Sequence, residues 1–267
     1  MRFFLYPCTM KSTGPMIGFF DSGVGGTSIW NAAQRLLPGA DTLYLADSAH
    51  APYGLLPLDA LVRRTEVLTE FLLTQGATLI VVACNTATTN AIAHLRARYP
   101  VSFVGIEPAI KPAVVHTQSQ VIGVLATRGT ISSGLFHSRI QAYGSGYTLV
   151  IQHGDGLVEQ IEQGQLMGQE VRTLLSRYLS PMVEQGVDTL VLGCTHYPFL
   201  IPVIESLFPG VFQIIDPSDA VARQILHLWP HESTHEKGHA VFLTNGSLEV
   251  MRSFAPKDAE VRTSADF

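Results

Sequence analysis

"LIVVACNTATTN", Leu79–Asn90, decides the fold. Its first five residues are uniformly apolar, with none of the alternation of a strand that keeps one wet face, so the pattern predicts a strand of a parallel sheet covered on both sides. After Cys84 the chain turns abruptly polar at Asn85 and Thr86, and a helical pattern follows over 86–98. Similar apolar runs recur at 16–21, 42–47, 78–84, 102–107, 121–127, 147–152, 189–194 and 211–216. Helical patterns lie between them at 27–37, 57–75, 86–98, 131–142, 156–163, 167–185, 198–208 and 217–229. Pro57, Pro198 and Pro217 stand near helix starts, where a missing N–H costs little. Strand alternating with helix throughout predicts an α/β fold built on parallel sheets.

The chain also repeats itself. "MIGFFDSGVGGTS" (16–28) is echoed by "VIGVLATRGTISS" (121–133), Ile17 and Gly18 matching Ile122 and Gly123 at an offset of 105. "LIVVACNT" (79–86) is echoed by "TLVLGCTH" (189–196), Cys84 matching Cys194 at an offset of 110. Two echoes at nearly one spacing predict a duplicated α/β unit. The expected halves span about 16–107 and 108–216, and residues 1–15 read as a leader outside them.

Composition bounds the function. The 267 residues are 46% hydrophobic and only 15% charged, which excludes a disordered chain. A net charge of −5 without any Lys/Arg-rich run argues against a nucleic-acid surface. No run of eighteen apolar residues occurs, and the N-terminus does not have the form of a signal peptide, so a cytoplasmic protein without membrane contact is expected. Three cysteines cannot form a paired framework, and Cys8 reads as an incidental thiol.

In open α/β sheets ligands bind beyond the carboxyl ends of the strands. Asp21 and Ser22, then Cys84, Asn85 and Thr86, then Thr127, then Cys194, Thr195 and His196 all fall at such ends. If the halves face each other, each wall of the cleft carries one thiol. Both cysteines precede a predicted helix, whose N-terminus favours thiolate; moving a thiol from pKa about 8.5 to about 7 takes about 2 kcal/mol. Thiols on opposite faces of one carbon can remove a proton and return another with inversion. A nucleophilic pair of Cys194 and His196 is the competing chemistry, although such pairs usually come from separate elements. Buried packing is the alternative for either cysteine taken alone.

The glycines of "FDSGVGGTS" do not fit G-x-G-x-x-G or G-K-[ST], and Asp21 would repel a phosphate. That carboxylate suits a substrate ammonium group or the orientation of a thiol, with a helix cap as the plain alternative. "APYG" (51–54) would offer the Tyr53 O–H and the Gly54 N–H to a ligand carboxylate. His227, His231 and His235 read as a solvated tail, and no convergent set of metal ligands is seen.

Taken together, "DSGVGG" (21–26), "APYG" (51–54), "ACNTAT" (83–88), "ATRGT" (126–130) and "GCTHYP" (193–198) resemble the glutamate racemases of the aspartate/glutamate racemase superfamily, over residues 16 to about 229. The resemblance implies cofactor-independent interconversion of L- and D-glutamate, supplying D-glutamate for peptidoglycan. Cys84 and Cys194 match the two acid/base cysteines, Asp21 the carboxylate that assists the first thiol, and His196 the imidazole that assists the second. Ser22, Tyr53, Gly54, Asn85, Thr86 and Thr195 match positions that hold the amino acid, and Asp21, Pro52, His196 and Thr130 are further pocket members. Glu162 matches an acidic residue near the second cysteine. The resemblance also implies that the helix from Pro217 crosses back, so that 217–267 joins the first domain, and a homodimer is the expected assembly. "QHGDG" (152–156) departs from many relatives in lacking a cysteine. An aspartate or hydantoin racemase, a Cys-dependent amidohydrolase and a non-catalytic amino-acid-binding protein remain the alternatives.

Overall fold

The computed structural model of the chain describes residues 14–231 and 236–267. Cys8, most of the 1–15 leader and His235 therefore lie outside the described residues. Two all-parallel sheets carry the fold, as the unbroken apolar runs predict. The first contains β1 (Met16–Asp21), β2 (Asp41–Ala46), β3 (Ala77–Val82), β4 (Ser102–Gly105), β9 (Ala240–Thr244) and β10 (Glu260–Thr263), in the order β10-β9-β2-β1-β3-β4. The second contains β5 (Val121–Ala126), β6 (Thr148–His153), β7 (Thr189–Gly193) and β8 (Gln213–Ile215), in the order β6-β5-β7-β8.

The order β2-β1-β3-β4 of the first sheet repeats as β6-β5-β7-β8 in the second. The internal echoes thus mark equivalent strands: β1 and β5 each lie second in their set of four, and β3 and β7 each lie beside them. Every residue of β1 is buried, as is Leu79–Val82 of β3, because helices cover both faces. Among these, α1 (Thr27–Leu36) packs on α10 (Ser218–Leu228), with Ile29, Trp30 and Ala33 meeting Val221, Ala222 and Ile225 in one core cluster.

Three expectations need correction. The helix expected over 131–142 is two helices, α5 (Arg128–Ile131) and α6 (Gly134–Tyr143). Thr127 accepts a hydrogen bond from Thr130 N–H and Ser133 one from Phe136 N–H, so each hydroxyl caps its own start. The helix expected at 198–208 opens as a 3-10 turn over Tyr197–Leu200, before α9 (Ile201–Leu207), with prolines 198 and 202 at the two starts. His227, expected in a solvated tail, is an exposed residue of α10, and His231 beyond it is exposed. β9 inserts beside β2, α11 (Leu248–Phe254) follows, and β10 forms the sheet edge. The aromatic ring of Phe242 in β9 is fully buried between Trp30 and Tyr44, at ring-centroid distances of 5.0 and 5.2 Å.

Candidate active site

Adjacent strand ends bring the polar residues together. Asp47 N–H donates to Asp21 C=O at 3.0 Å and Ala83 N–H to Phe20 C=O at 2.8 Å, which sets Asp21, Asp47 and Cys84 side by side at one end of the first sheet. Cys84 has extended backbone and stands immediately before α3 (Asn85–Arg98), so the chain changes from strand to helix at the thiol. On the second sheet β7 ends at Gly193, and Cys194 opens the turn that leads to Tyr197.

The two thiols line one pocket. Its walls are Ser22, Pro52, Tyr53, Gly54, Cys84, Asn85, Thr86, Thr127, Val158, Cys194, Thr195 and His196, around a volume of only about 10 Å³. That is room for about one water, so an amino acid enters only when the walls part. Contacts that join the two sheets hold them together: Thr195 Oγ1 donates to Asp21 Oδ2 at 3.0 Å, and the Thr86 and Thr127 hydroxyls meet at 2.8 Å. The amide of Asn85 is buried, with neither its oxygen nor its nitrogen hydrogen-bonded. Buried polar groups are nearly always paired, so this amide is available for a ligand. A larger cavity of about 730 Å³, bordered by Arg96, Lys111, Arg139 and Arg223, contains neither thiol.

The surroundings of the two sulfurs differ. Cys84 Sγ lies 3.9 Å from Ser22 Oγ. Burial pushes this thiol well up, and the Asp21 carboxylate pushes it further, against the Ala87 and Ser22 N–H groups that favour thiolate. The helix N-terminus favours thiolate at Cys84 as expected, but lost hydration outweighs the two backbone donors. Cys194 Sγ lies 3.7 Å from His196 Nδ1, and His196 Nε2 lies 2.6 Å from Glu162 Oε1. Burial alone would lower the imidazole's pKa, but the Cys194 and Glu162 partnerships and the Asp21 charge raise it well above its ordinary value. These partners thus favour the protonated imidazole, whose Nδ1 faces the second sulfur.

Glu162 completes this chain. Its Oε1 also accepts from Val24 N–H at 2.7 Å and its Oε2 from Ser48 Oγ at 2.8 Å. Burial pushes its carboxyl up, yet His196 and these donors more than offset that and hold it below its ordinary value. Replacing Glu162 with Gln is expected to lower kcat about tenfold. Losing the anion lowers the pKa of His196, so the alkaline limb of a pH–rate profile should move to lower pH; an unmoved limb would separate His196 from Glu162 function.

The glycine-rich turn is shaped by close approach. A Cβ at Gly23 would overlap the Glu162 carboxylate, and one at Gly25 the His196 ring. Asp21 does not cap α1, whose N-cap is Gly26 with no side-chain bond. Its Oδ1 instead accepts from Gly23 N–H at 2.8 Å. Fully buried, Asp21 has its pKa pushed up to about 6 by lost hydration, with His196 and the donors opposing and Glu162 reinforcing.

Other sequence-predicted residues fall as follows. Ser22, Pro52, Gly54, Asn85, Thr86, Thr195 and His196 line the pocket with the thiols, whereas Asp21 and Glu162 stand behind it. Thr130 is also behind, its hydroxyl bonded to Thr127 Oγ1 at 3.1 Å and to Thr86 Oγ1 at 3.3 Å. Tyr53 lines the pocket, but its O–H donates to Asp47 Oδ2 at 2.5 Å and is not offered to a ligand as expected. Sequence reasoning missed Val158, which belongs to no motif or strand end, and Ser48, which follows the run at 42–47 as Ser22 follows that at 16–21 and could have been found by the same rule. Among the described residues no group of three or more His, Cys, Asp or Glu could hold a metal ion, and no helix is long and apolar enough to cross a membrane.

Known proteins share this fold and much of this sequence. The profile of the family described as Asp/Glu/Hydantoin racemase matches residues 27–225. The glutamate racemase of Ectopseudomonas mendocina is 44% identical over 251 residues, covering 92% of this chain and 95% of that protein. A solved glutamate racemase isoform from Bacillus anthracis superposes with a TM-score of 0.83 at 26% identity, covering 95% of this chain and 98% of that one. Escherichia coli glutamate racemase, solved with L-glutamate and the activator UDP-MurNAc-ala, superposes with a TM-score of 0.81 at 30% identity, covering 93% and 98%.

Proposed function

Because the chain belongs to the Asp/Glu/Hydantoin racemase family, we propose that it interconverts L- and D-glutamate without a cofactor, by proton transfer between two thiols. The observation that carries this is the single pocket bounded by Cys84 from one sheet and Cys194 from the other. The Cα of a bound amino acid lies between the sulfurs. One thiolate removes the α-proton and the opposite thiol returns another, so the centre inverts with no net change in protons.

The difficult step is charge on the carbanion, since an amino-acid Cα–H is a very weak acid. The backbone N–H groups at 53–54, 85–86 and 195–196 and the free Asn85 amide are suited to bind the substrate's carboxylates as that charge develops. Parted from Thr195, the Asp21 carboxylate receives the ammonium group. On the Cys84 side a raised thiol pKa suits the proton donor, and on the Cys194 side the His196 imidazolium offsets the charge of the thiolate. Cys84 serves one enantiomer as base and Cys194 the other.

The same proposal places residues 16–107 with 217–267 in a first domain and 108–216 in a second, supported by the sheet membership of their strands and the packing of α10 on α1. The product would feed peptidoglycan synthesis in the cytoplasm, and a homodimer is the assembly to test. Circular dichroism of L-glutamate incubated with the protein alone should decay to zero. Decay with aspartate or a hydantoin instead would reassign the substrate, and ammonia release from glutamine, supplied separately, would point to an amidohydrolase.

A further inference from the structure

Asp47 is a fully buried carboxylate that does not line the pocket. Five donors surround it. Oδ1 accepts from Arg64 Nη2 at 2.7 Å and from Asn245 Nδ2 at 2.5 Å, and lies 2.8 Å from His50 Nδ1. Oδ2 accepts from Arg64 Nε at 2.9 Å and from Tyr53 O–H at 2.5 Å. The donors come from separate parts of the chain: Arg64 from α2 (Leu58–Thr74), Asn245 from the end of β9, and Tyr53 from the 3-10 turn over Tyr53–Leu55. With both oxygens engaged by these donors and the residue outside the pocket lining, Asp47 is not a substrate ligand.

Tyr53 leads from this hub to the site. Pro52, Tyr53 and Gly54 form one wall beside Cys84, and Gly54 presses on the other half of the cleft. A Cβ on Gly54 would stand 3.0 Å from Thr127 Cβ, and one on Gly129 would stand 3.1 Å from Gly54 Cα. Besides the turn's own backbone bonds, the phenol is the side-chain tie by which residues 51–54 are fastened to the first sheet. We propose that Asp47, oriented by the bidentate Arg64 and by Asn245, is a positioning residue that acts through Tyr53 to hold the 51–54 wall against bound glutamate. The inference rests on the glutamate racemase function proposed above. Only a carboxylate suits the place: an amide there would direct its own N–H groups at other donors.

The test compares Asp47→Asn, Tyr53→Phe and the double variant with the wild type. Each single change is expected to raise KM about tenfold, equally for L- and D-glutamate, the scale of one charge-assisted hydrogen bond. kcat should change less than threefold and the pH limbs should stay in place, which separates positioning from proton transfer. The double variant should be no worse than the worse single, because both break one path. KM within twofold of the wild type for both singles, or effects that multiply in the double, would overturn the proposal. Should Asp47→Asn fail to fold, Asn245→Ala removes one donor from the same oxygen and should raise KM about threefold. Hydrogen exchange gives a readout that does not depend on the substrate. Amides at 53–56 should exchange faster in Tyr53→Phe and Asp47→Asn while those of β1 and β3 do not. Unchanged exchange at 53–56 defeats the positioning role, whereas a wild type inactive on glutamate defeats only the function it rests on.

Discussion

Replacing either Cys84 or Cys194 with serine is expected to lower kcat/KM for racemisation at least about 1,000-fold, in both directions. A serine hydroxyl is far too weak an acid to shuttle a proton at neutral pH, and general acid–base groups supply factors of about 100 to 10,000. Both directions suffer because inversion uses both sulfurs, one as base and the other as acid. The losses should nevertheless differ in kind. Each variant keeps one thiol, which can still take the α-proton of the enantiomer that faces it and return a solvent proton to the same face. Cys84→Ser should thus exchange the α-proton of one enantiomer without inverting it, and Cys194→Ser that of the other. NMR in D₂O reads both properties. Retention of a tenth of wild-type inversion by either variant would sink the paired-thiol mechanism.

Asp21→Asn should give a protein that is more stable and much less active. The folded pKa of Asp21, about 6, lies above its ordinary value of 3.8. Its contribution to stability is therefore full below pH about 4 and is lost as pH rises through 6. At about 1.4 kcal/mol per unit the loss is about 3 kcal/mol, and it is complete by pH 8. Asparagine carries no charge to bury, and its Oδ1 can still accept from Gly23 N–H. Urea denaturation should show the variant about 3 kcal/mol more stable than wild type at pH 8 and equal to it at pH 4. Its kcat/KM should fall on the order of 100-fold, because the ammonium group loses its carboxylate. A protein stabilised by removing a site charge is the usual exchange of function for stability. Equal stability at both pH values would mean that Asp21 is not strained by burial.

The features legible in the sequence are those with local causes. Continuous apolar runs at 16–21 and 189–194 could only be strands covered on both sides, and a polar residue ending such a run marks the ligand edge of a sheet. That rule finds Asp21, Cys84 and Cys194 without reference to any relative. What escaped has non-local causes. Asp47 also ends an apolar run, yet its importance lies in Arg64 and Asn245, 17 and 198 positions away, which no period or motif connects. β9 and β10 are short and follow a polar stretch; β9 is fixed by pairing with β2 and β10 by pairing with β9, so their order comes from the sheet. The raised pKa of Cys84 escapes the sequence for a related reason: the helix N-terminus is visible in sequence, whereas the burial that outweighs it is visible only in the packed structure.

Transfer of the proton between two opposed thiols is tested most directly by following L-glutamate in D₂O at early times. Transfer through both sulfurs predicts that the first D-glutamate formed carries deuterium at Cα while the remaining L-glutamate still carries protium. D-glutamate that keeps its original proton, or L-glutamate that gains deuterium as fast as D-glutamate appears, would place both transfers on one group and contradict it.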